Sequence, residues 1–406
     1  MSEREKTDQR RLRICFVGTP WLAVGPDRGG IEKVLLELSR IISRDHEVHV
    51  VCPTPRDEAP STGEPKIVFH YAPVTEVRRY PIRDKLDFTL ECILLSVRFL
   101  FATIVMAAFC MSLFRRHAFD VTYVSNKFVA APILLLTRNR SRGVFIYAEH
   151  NIWPWLHPRP DQWSARLRYG ANKYLGRFVC RRSDRIHVNS ESLRVAMAGS
   201  GIDERRMVPI PNGTEVPPEG VVPAPLAGSM RVGFVGRLAE EKGIEMLVGA
   251  TRLLNARQPR IRFEIFGDGP LRPMLLAAGL QNCTLWGERP REEVLEALRS
   301  INIVLFLSPV ENIPSVALME ALALGKAVVA TNVGDTPHFL RDGHDALLCE
   351  PDPGAVAEAV VSLCENPSLY DKVTEGAREL AASNTWEEVA RKHLALFRSA
   401  RTPVAS

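Results

Sequence analysis

No two cysteines of this chain stand close enough in sequence to act together. The eight (Cys15, Cys52, Cys92, Cys110, Cys180, Cys283, Cys349 and Cys364) are scattered, with no C-x-x-C pair and no Cys/His cluster at metal-ligand spacing. This excludes a disulfide scaffold and a zinc module, and predicts buried thiols in a reducing compartment. Also missing are G-x-G-x-x-G and G-x-x-x-x-G-K-[ST], so neither a dinucleotide fingerprint nor a P-loop is present. Aromatics are sparse at 7%, and no Lys/Arg run is interleaved with them, so nucleic acid is not an expected partner. The charged start MSEREKTDQRRLR has no apolar core behind it. No signal peptide is expected there, and residues 1–12 read as a tail.

What remains is an ordinary globular composition over 406 residues, 46% hydrophobic and 24% charged, enough chain for two or three domains. The net charge of +5 is uneven: residues 1–230 carry 33 Lys and Arg against 24 Asp and Glu, and the rest 19 against 23. A front half at +9 suits an anionic partner such as a phosphorylated acceptor or an anionic membrane surface; a solvated Arg-rich face accounts for it equally. The longest charge-free run, Phe99–Phe114, is bracketed by Arg98 and by Arg115 and Arg116. It is short for a span of about 20 residues, and fits a domain helix, an interfacial helix or, with Ile93–Val97 added, a span.

Short Val/Ile/Phe-rich runs alternate with helical patterns throughout. Strands are expected at Arg13–Gly18, Glu47–Cys52, Ile67–Ala72, Val121–Ser125, Val144–His150 and Arg185–Asn189. The second half repeats the rhythm at Arg231–Gly236, Arg262–Gly267, Thr284–Gly287, Ile303–Ser308, Ala327–Thr331 and Ala346–Cys349. Such alternation predicts α/β architecture with parallel, doubly wound sheets. Four prolines and two glycines make 216–229 the expected linker. The expected plan is two Rossmann-like domains, 13–215 and 230–384, facing across a cleft, with a final segment 385–406.

Ligands of doubly wound sheets bind beyond the carboxyl ends of strands, and three loops there are informative. Gly29 and Gly30 open the first helix, where bare backbone amides can approach an anion; a Gly-rich packing turn would look the same. Arg237 and Lys242 flank the first strand exit of the second half, placed to neutralise a diphosphate or simply to be solvated. Ser315 is set to cap a helix ending at Gly325, with Glu311 before it and Glu320 in its second turn.

Taken together, G-G-I-E-K, G-R-L-A-E-E-K-G, F-G-D-G-P and E-N-I-P-S-V-A-L-M-E-A-L-A-L-G-K resemble the retaining, nucleotide-sugar-dependent GT-B glycosyltransferases of the family 4 (group 1) type. Pro211-Asn212-Gly213, Glu149-His150 and Thr385-Trp386-Glu387 fit as well, and the likeness covers about residues 13–400. The resemblance implies that Arg237 and Lys242 hold the donor diphosphate. It implies that Glu320 binds the donor ribose, that Glu311 faces the sugar ring, and that His150 contacts the transferred sugar. Gly29 and Gly30 correspond to the loop closing over the donor. Gly267, Asn312, Ile313, Pro314, Ser315 and Val316 correspond to further donor-binding positions, and the helix around Trp386–Arg398 to one that crosses back to the first domain.

The implied reaction is retaining transfer of a hexosyl group from a nucleotide-diphosphate sugar to a glycan or lipid-linked glycan hydroxyl. Fixed cations and helix amides would stabilise the leaving diphosphate, without a cofactor, metal or protein nucleophile. A cytoplasmic, peripherally membrane-bound enzyme of envelope or exopolysaccharide synthesis is the expectation. Eight residues separate Glu311 from Glu320, where the family usually has seven. That lengthening motivates the alternative, a catalytically degenerate GT-B protein that binds a sugar nucleotide or a partner without transfer.

Overall fold

The computed structural model describes residues 10–21, 23–24, 30–55, 66–75, 90–137, 143–150, 155, 163–216, 230–309 and 314–400. Gly29, Glu311, Asn312 and Ile313, most of the tail 1–12 and nearly all of the linker 216–229 lie outside them. Two compact units emerge. One runs to Pro211 and takes up the chain again at Val389; the other is Asn212–Glu388.

The first unit holds β1 (Arg13–Val17), β2 (Glu47–Thr54), β3 (Ile67–Thr75), β4 (Val121–Val124), β5 (Val144–Glu149), β6 (Arg185–Val188) and β7 (Met207–Pro209). They pair in parallel in the order β3-β2-β1-β4-β5-β6-β7. Their central members are continuous apolar runs because helices cover both faces of such a sheet: every residue of β4 is buried, as are Ile14–Val17 of β1. Helix Gly30–Ile42 follows β1 and buries Val34, Leu35, Leu38 and Ile42 at the expected helical spacing.

The second unit holds β8 (Arg231–Val235), β9 (Arg262–Phe266), β10 (Cys283–Gly287), β11 (Ile303–Phe306), β12 (Ala327–Thr331) and β13 (Leu347–Cys349), parallel in the order β10-β9-β8-β11-β12-β13. In each unit the chain leaves its first strand to one side and returns on the other. The switch points therefore lie between β1 and β4 and between β8 and β11. This is the doubly wound α/β fold the alternation predicts.

Two sequence-based borders shift. Asn212–Glu215, expected at the end of the first domain, belongs to the second unit. Thr214 N–H donates to the Asn384 carbonyl at 3.0 Å and the Trp386 N–H to the Thr214 carbonyl at 3.1 Å. Gly213 lies so close that an added Cβ would stand 2.6 Å from the Trp386 ring. Helix Trp386–Ser399 starts in the second unit and joins the first from Val389. There Phe397 meets Phe16 and Tyr123 at ring separations of 6.1 and 6.0 Å.

The apolar run Phe99–Phe114 lies inside helix Leu90–Arg116. Met106, Cys110 and Phe114 enter the core of the first unit, while Leu100, Phe101 and Ile104 are more than half exposed. The stretch Arg98–Arg116 is long and apolar enough to cross a membrane, with 39% of it buried in the protein.

Candidate active site

At the switch point of the second sheet, the carboxyl ends of β8 and β11 and the start of helix Val316–Ala323 enclose a cavity of about 160 Å³. Local chemistry shapes each wall. Ser315, extended at φ −79°, accepts the Leu318 N–H on its hydroxyl at 3.2 Å, which stops the helix there and leaves its first amides pointing outward. Ser315, Ala317 and Leu318 of this helix start line the cavity together with Pro314.

Across from them stands Lys242. It ends the turn Glu240–Lys242, and Gly243 follows at φ +68°, where a Cβ would lie 1.7 Å from the Leu307 carbonyl oxygen. Only glycine fits, so the Lys242 backbone is pinned against β11. The Lys242 N–H donates to the Ala239 carbonyl at 3.0 Å, while its ammonium makes no hydrogen bond or ion pair among the described residues. Burial pushes its pKa below 10.5, with Glu241 acting in the opposite sense. A half-buried ammonium facing open helix amides is a ready seat for an anion. The hydroxyl of Thr336, also in the lining, is buried without a partner. Apart from Ser308, the rest of the wall is largely apolar, with Phe306, Phe339 and Leu340. A whole sugar nucleotide needs several hundred Å³, so this space would hold one part of such a ligand.

The other predicted residues of this unit that the structure describes stand outside that lining. Arg237 is about half exposed, with its guanidinium 3.7 Å from the Glu241 carboxylate. Gly267 follows β9, its N–H donating to the Gly287 carbonyl at 2.8 Å. Val316 starts the capped helix. Glu320 sits one turn further on and receives Arg291 Nε at 2.7 Å. Arg291 also donates through Nη2 to Glu215 at 3.3 Å. Sequence reading missed Arg291: it lies 29 residues from Glu320, and an Arg beginning a helix in P-R-E-E carries no spacing signal.

In the first unit, Gly30 begins its helix with nothing within 4 Å of where a Cβ would be. The Thr19 hydroxyl donates to the buried Glu32 carboxylate in that helix's first turn. His150 follows β5 at its carboxyl end. Its Nε2 is buried without a partner, and burial, aided by His187, holds its pKa down at about 3. It is therefore a neutral ring, suited to hydrogen-bond a hydroxyl and unsuited to carry charge. Beside it, Glu149 accepts Lys127 Nζ at 3.2 Å, the Tyr147 hydroxyl at 2.9 Å and Trp155 Nε1 at 3.0 Å, all buried. That network anchors the strand end from which His150 projects. Among the described residues no group of three His, Cys, Asp or Glu is placed to hold a metal ion.

Two doubly wound parallel sheets in one chain, one with a cationic cavity at its switch point, make up the GT-B architecture. The family model described as Glycosyltransferase Family 4 matches residues 28–216, and that described as Glycosyl transferases group 1 matches residues 229–366. The chain belongs to this family of glycosyltransferases. It is 31% identical over 230 residues to the D-inositol 3-phosphate glycosyltransferase of Corynebacterium urealyticum, covering 53% of each chain. It is 30% identical over 178 residues to the amylovoran biosynthesis glycosyltransferase AmsK of Erwinia amylovora, covering 41% of this chain and 44% of that one. The chain thus spans about half the length of these curated relatives. The structure of Anabaena HepE in complex with UDP-glucose superposes with a TM-score of 0.67 at 16% identity, over 95% of this chain and 99% of that one.

Proposed function

We propose that this protein is a retaining hexosyltransferase that takes its sugar from a nucleoside-diphosphate donor. The observation that carries the reading is Lys242: an unpaired, half-buried ammonium across a cavity from the capped start of helix Val316–Ala323. Breaking the anomeric bond puts negative charge on the departing diphosphate. Lys242, Arg237 and the helix amides are preorganised donors for that charge, each worth about 3–4 kcal/mol in such sites, which makes a metal dispensable. Glu320 would grip the ribose, and neutral His150 a hydroxyl of the transferred sugar. HepE's complex with UDP-glucose supports a donor of this class. No side chain is assigned as nucleophile; same-face attack would pass the acceptor proton to the leaving phosphate.

The test is Lys242→Ala, read by calorimetry with UDP and GDP and by sugar release from UDP- and GDP-hexoses. Expected is a loss of most donor affinity and turnover with unchanged thermal unfolding; wild-type turnover in the variant would overturn the assignment. Donor binding by the wild type without transfer or hydrolysis would favour the degenerate binder, for which the lengthened Glu311–Glu320 interval argues.

The acceptor we propose is a lipid-linked glycan at the inner face of the membrane, in envelope or exopolysaccharide synthesis. Exposed Leu100, Phe101 and Ile104 share a helix with exposed Arg98, Arg115 and Arg116, an apolar face with cationic flanks suited to an anionic surface. Vesicles containing an anionic lipid should retain the protein at low salt and release Arg115→Glu/Arg116→Glu; equal retention of both would refute this.

A further inference from the structure

We infer that Arg291 is a positioning residue that sets the Glu320 carboxylate for the donor ribose. The inference rests on the reading of Glu320 given above and adds to it the residues that hold it. Glu320 is 9% exposed, and a carboxylate that deep needs a fixed counter-charge. Arg291 supplies it through Nε at 2.7 Å, while Nη2 reaches Glu215 at 3.3 Å. Two carboxylates held by two nitrogens of one planar guanidinium leave it little freedom to rotate, a geometry that an ammonium cannot reproduce.

The backbone that carries Glu215 is itself fixed. Its neighbour Thr214 pairs with Thr385, accepts the Trp386 N–H at 3.1 Å and donates to Asn384 at 3.0 Å. Three residues before Glu215, Asn212 Nδ2 donates to the Pro314 carbonyl at 2.9 Å, just ahead of the Ser315 cap. The segment Asn212–Glu215 therefore braces helix Val316–Ala323 twice. Asn212 holds its approach, and Glu215 holds its second turn through Arg291.

The experiment measures Kd for UDP and GDP and for their 2′,3′-dideoxy counterparts by calorimetry, using the better-bound base. Variants are Arg291→Gln, Arg291→Lys, Glu215→Gln and Glu320→Ala, with thermal unfolding recorded for each. We expect Arg291→Gln to weaken the ribonucleotide about tenfold while leaving the dideoxy form unchanged, so that the preference for ribose collapses. Arg291→Lys and Glu215→Gln should lose part of that preference while staying folded. A mere loss of stability would weaken both nucleotides alike. A full ribose preference in the Arg291 and Glu215 variants, alongside its loss in Glu320→Ala, would overturn the inference. Full preference in Glu320→Ala would instead overturn the reading of Glu320.

Discussion

The Tyr123 hydroxyl donates to His187 Nδ1 at 2.7 Å, and the opposite ring nitrogen, necessarily the protonated one, donates to the Ile210 carbonyl at 2.9 Å. His187 is 1% exposed, so both of its nitrogens are satisfied in the interior of the first unit. Tyr123→Phe keeps the ring and strands one lone pair. The expected cost is about 1–3 kcal/mol in urea unfolding. An unchanged midpoint would mean that water has taken the hydroxyl's place.

The same cluster predicts sensitivity to acid. Burial holds His150 down at about 3 and His187 at about 4, and pushes His393 down as well. In the unfolded chain these rings titrate near about 6.5. Below that pH the unfolded state binds protons that the folded state refuses, so stability is whole above it and falls as pH drops towards about 4. Each ring contributes up to about 1.4 kcal/mol per pH unit. Urea midpoints across this window should fall less steeply for His393→Gln than for wild type; parallel slopes would assign the acid loss to other groups.

Lys127 and Glu149 form an ion pair whose side chains are 6% and 3% exposed. Lys127→Met would leave a buried carboxylate without the ammonium that pairs with it. Destabilisation of about 3–5 kcal/mol is expected, measured by denaturant unfolding. Lys127→Met/Glu149→Gln should recover much of it. A double variant no better than the single would show that the charge pairing is not what matters.

For Lys242 burial shifts the pKa in the same direction as for the histidines, but here the charged form is the one that binds, so the loss falls on the alkaline side. Burial makes the ammonium give up its proton below 10.5, the ordinary lysine value. Diphosphate affinity should therefore hold through neutral pH and decline on the alkaline side earlier than an exposed lysine would dictate. Lys242→Arg, which stays charged, should carry the plateau to higher pH. Titration calorimetry with the preferred nucleoside diphosphate checks this, and coincident alkaline limbs in the two proteins would count against it.

The sheets were legible in sequence because buried parallel strands are short runs rich in Val, Ile and Phe, as in β1, β8 and β11. β7 was not, since Met207–Pro209 is three residues long at a sheet edge and ends on a proline. Composition placed the border at 216 because prolines mark a linker, whereas the Thr214–Thr385 pairing that assigns Asn212–Glu215 to the second unit leaves no local trace. At the site, Lys242 and Ser315 could be found from strand exits and capping chemistry. The hold of Arg291 on Glu320 could not, because only tertiary packing brings a helix start and the second turn of another helix together.

Helix Trp386–Ser399 has a practical corollary for anyone dissecting the molecule. A fragment cut after Pro211 would bare the aromatic seat that Phe397 occupies against Phe16 and Tyr123, and His187 would lose the His393 ring beside it. The amino-terminal unit is not a contiguous stretch of gene: isolating it calls for grafting the closing helix back onto it.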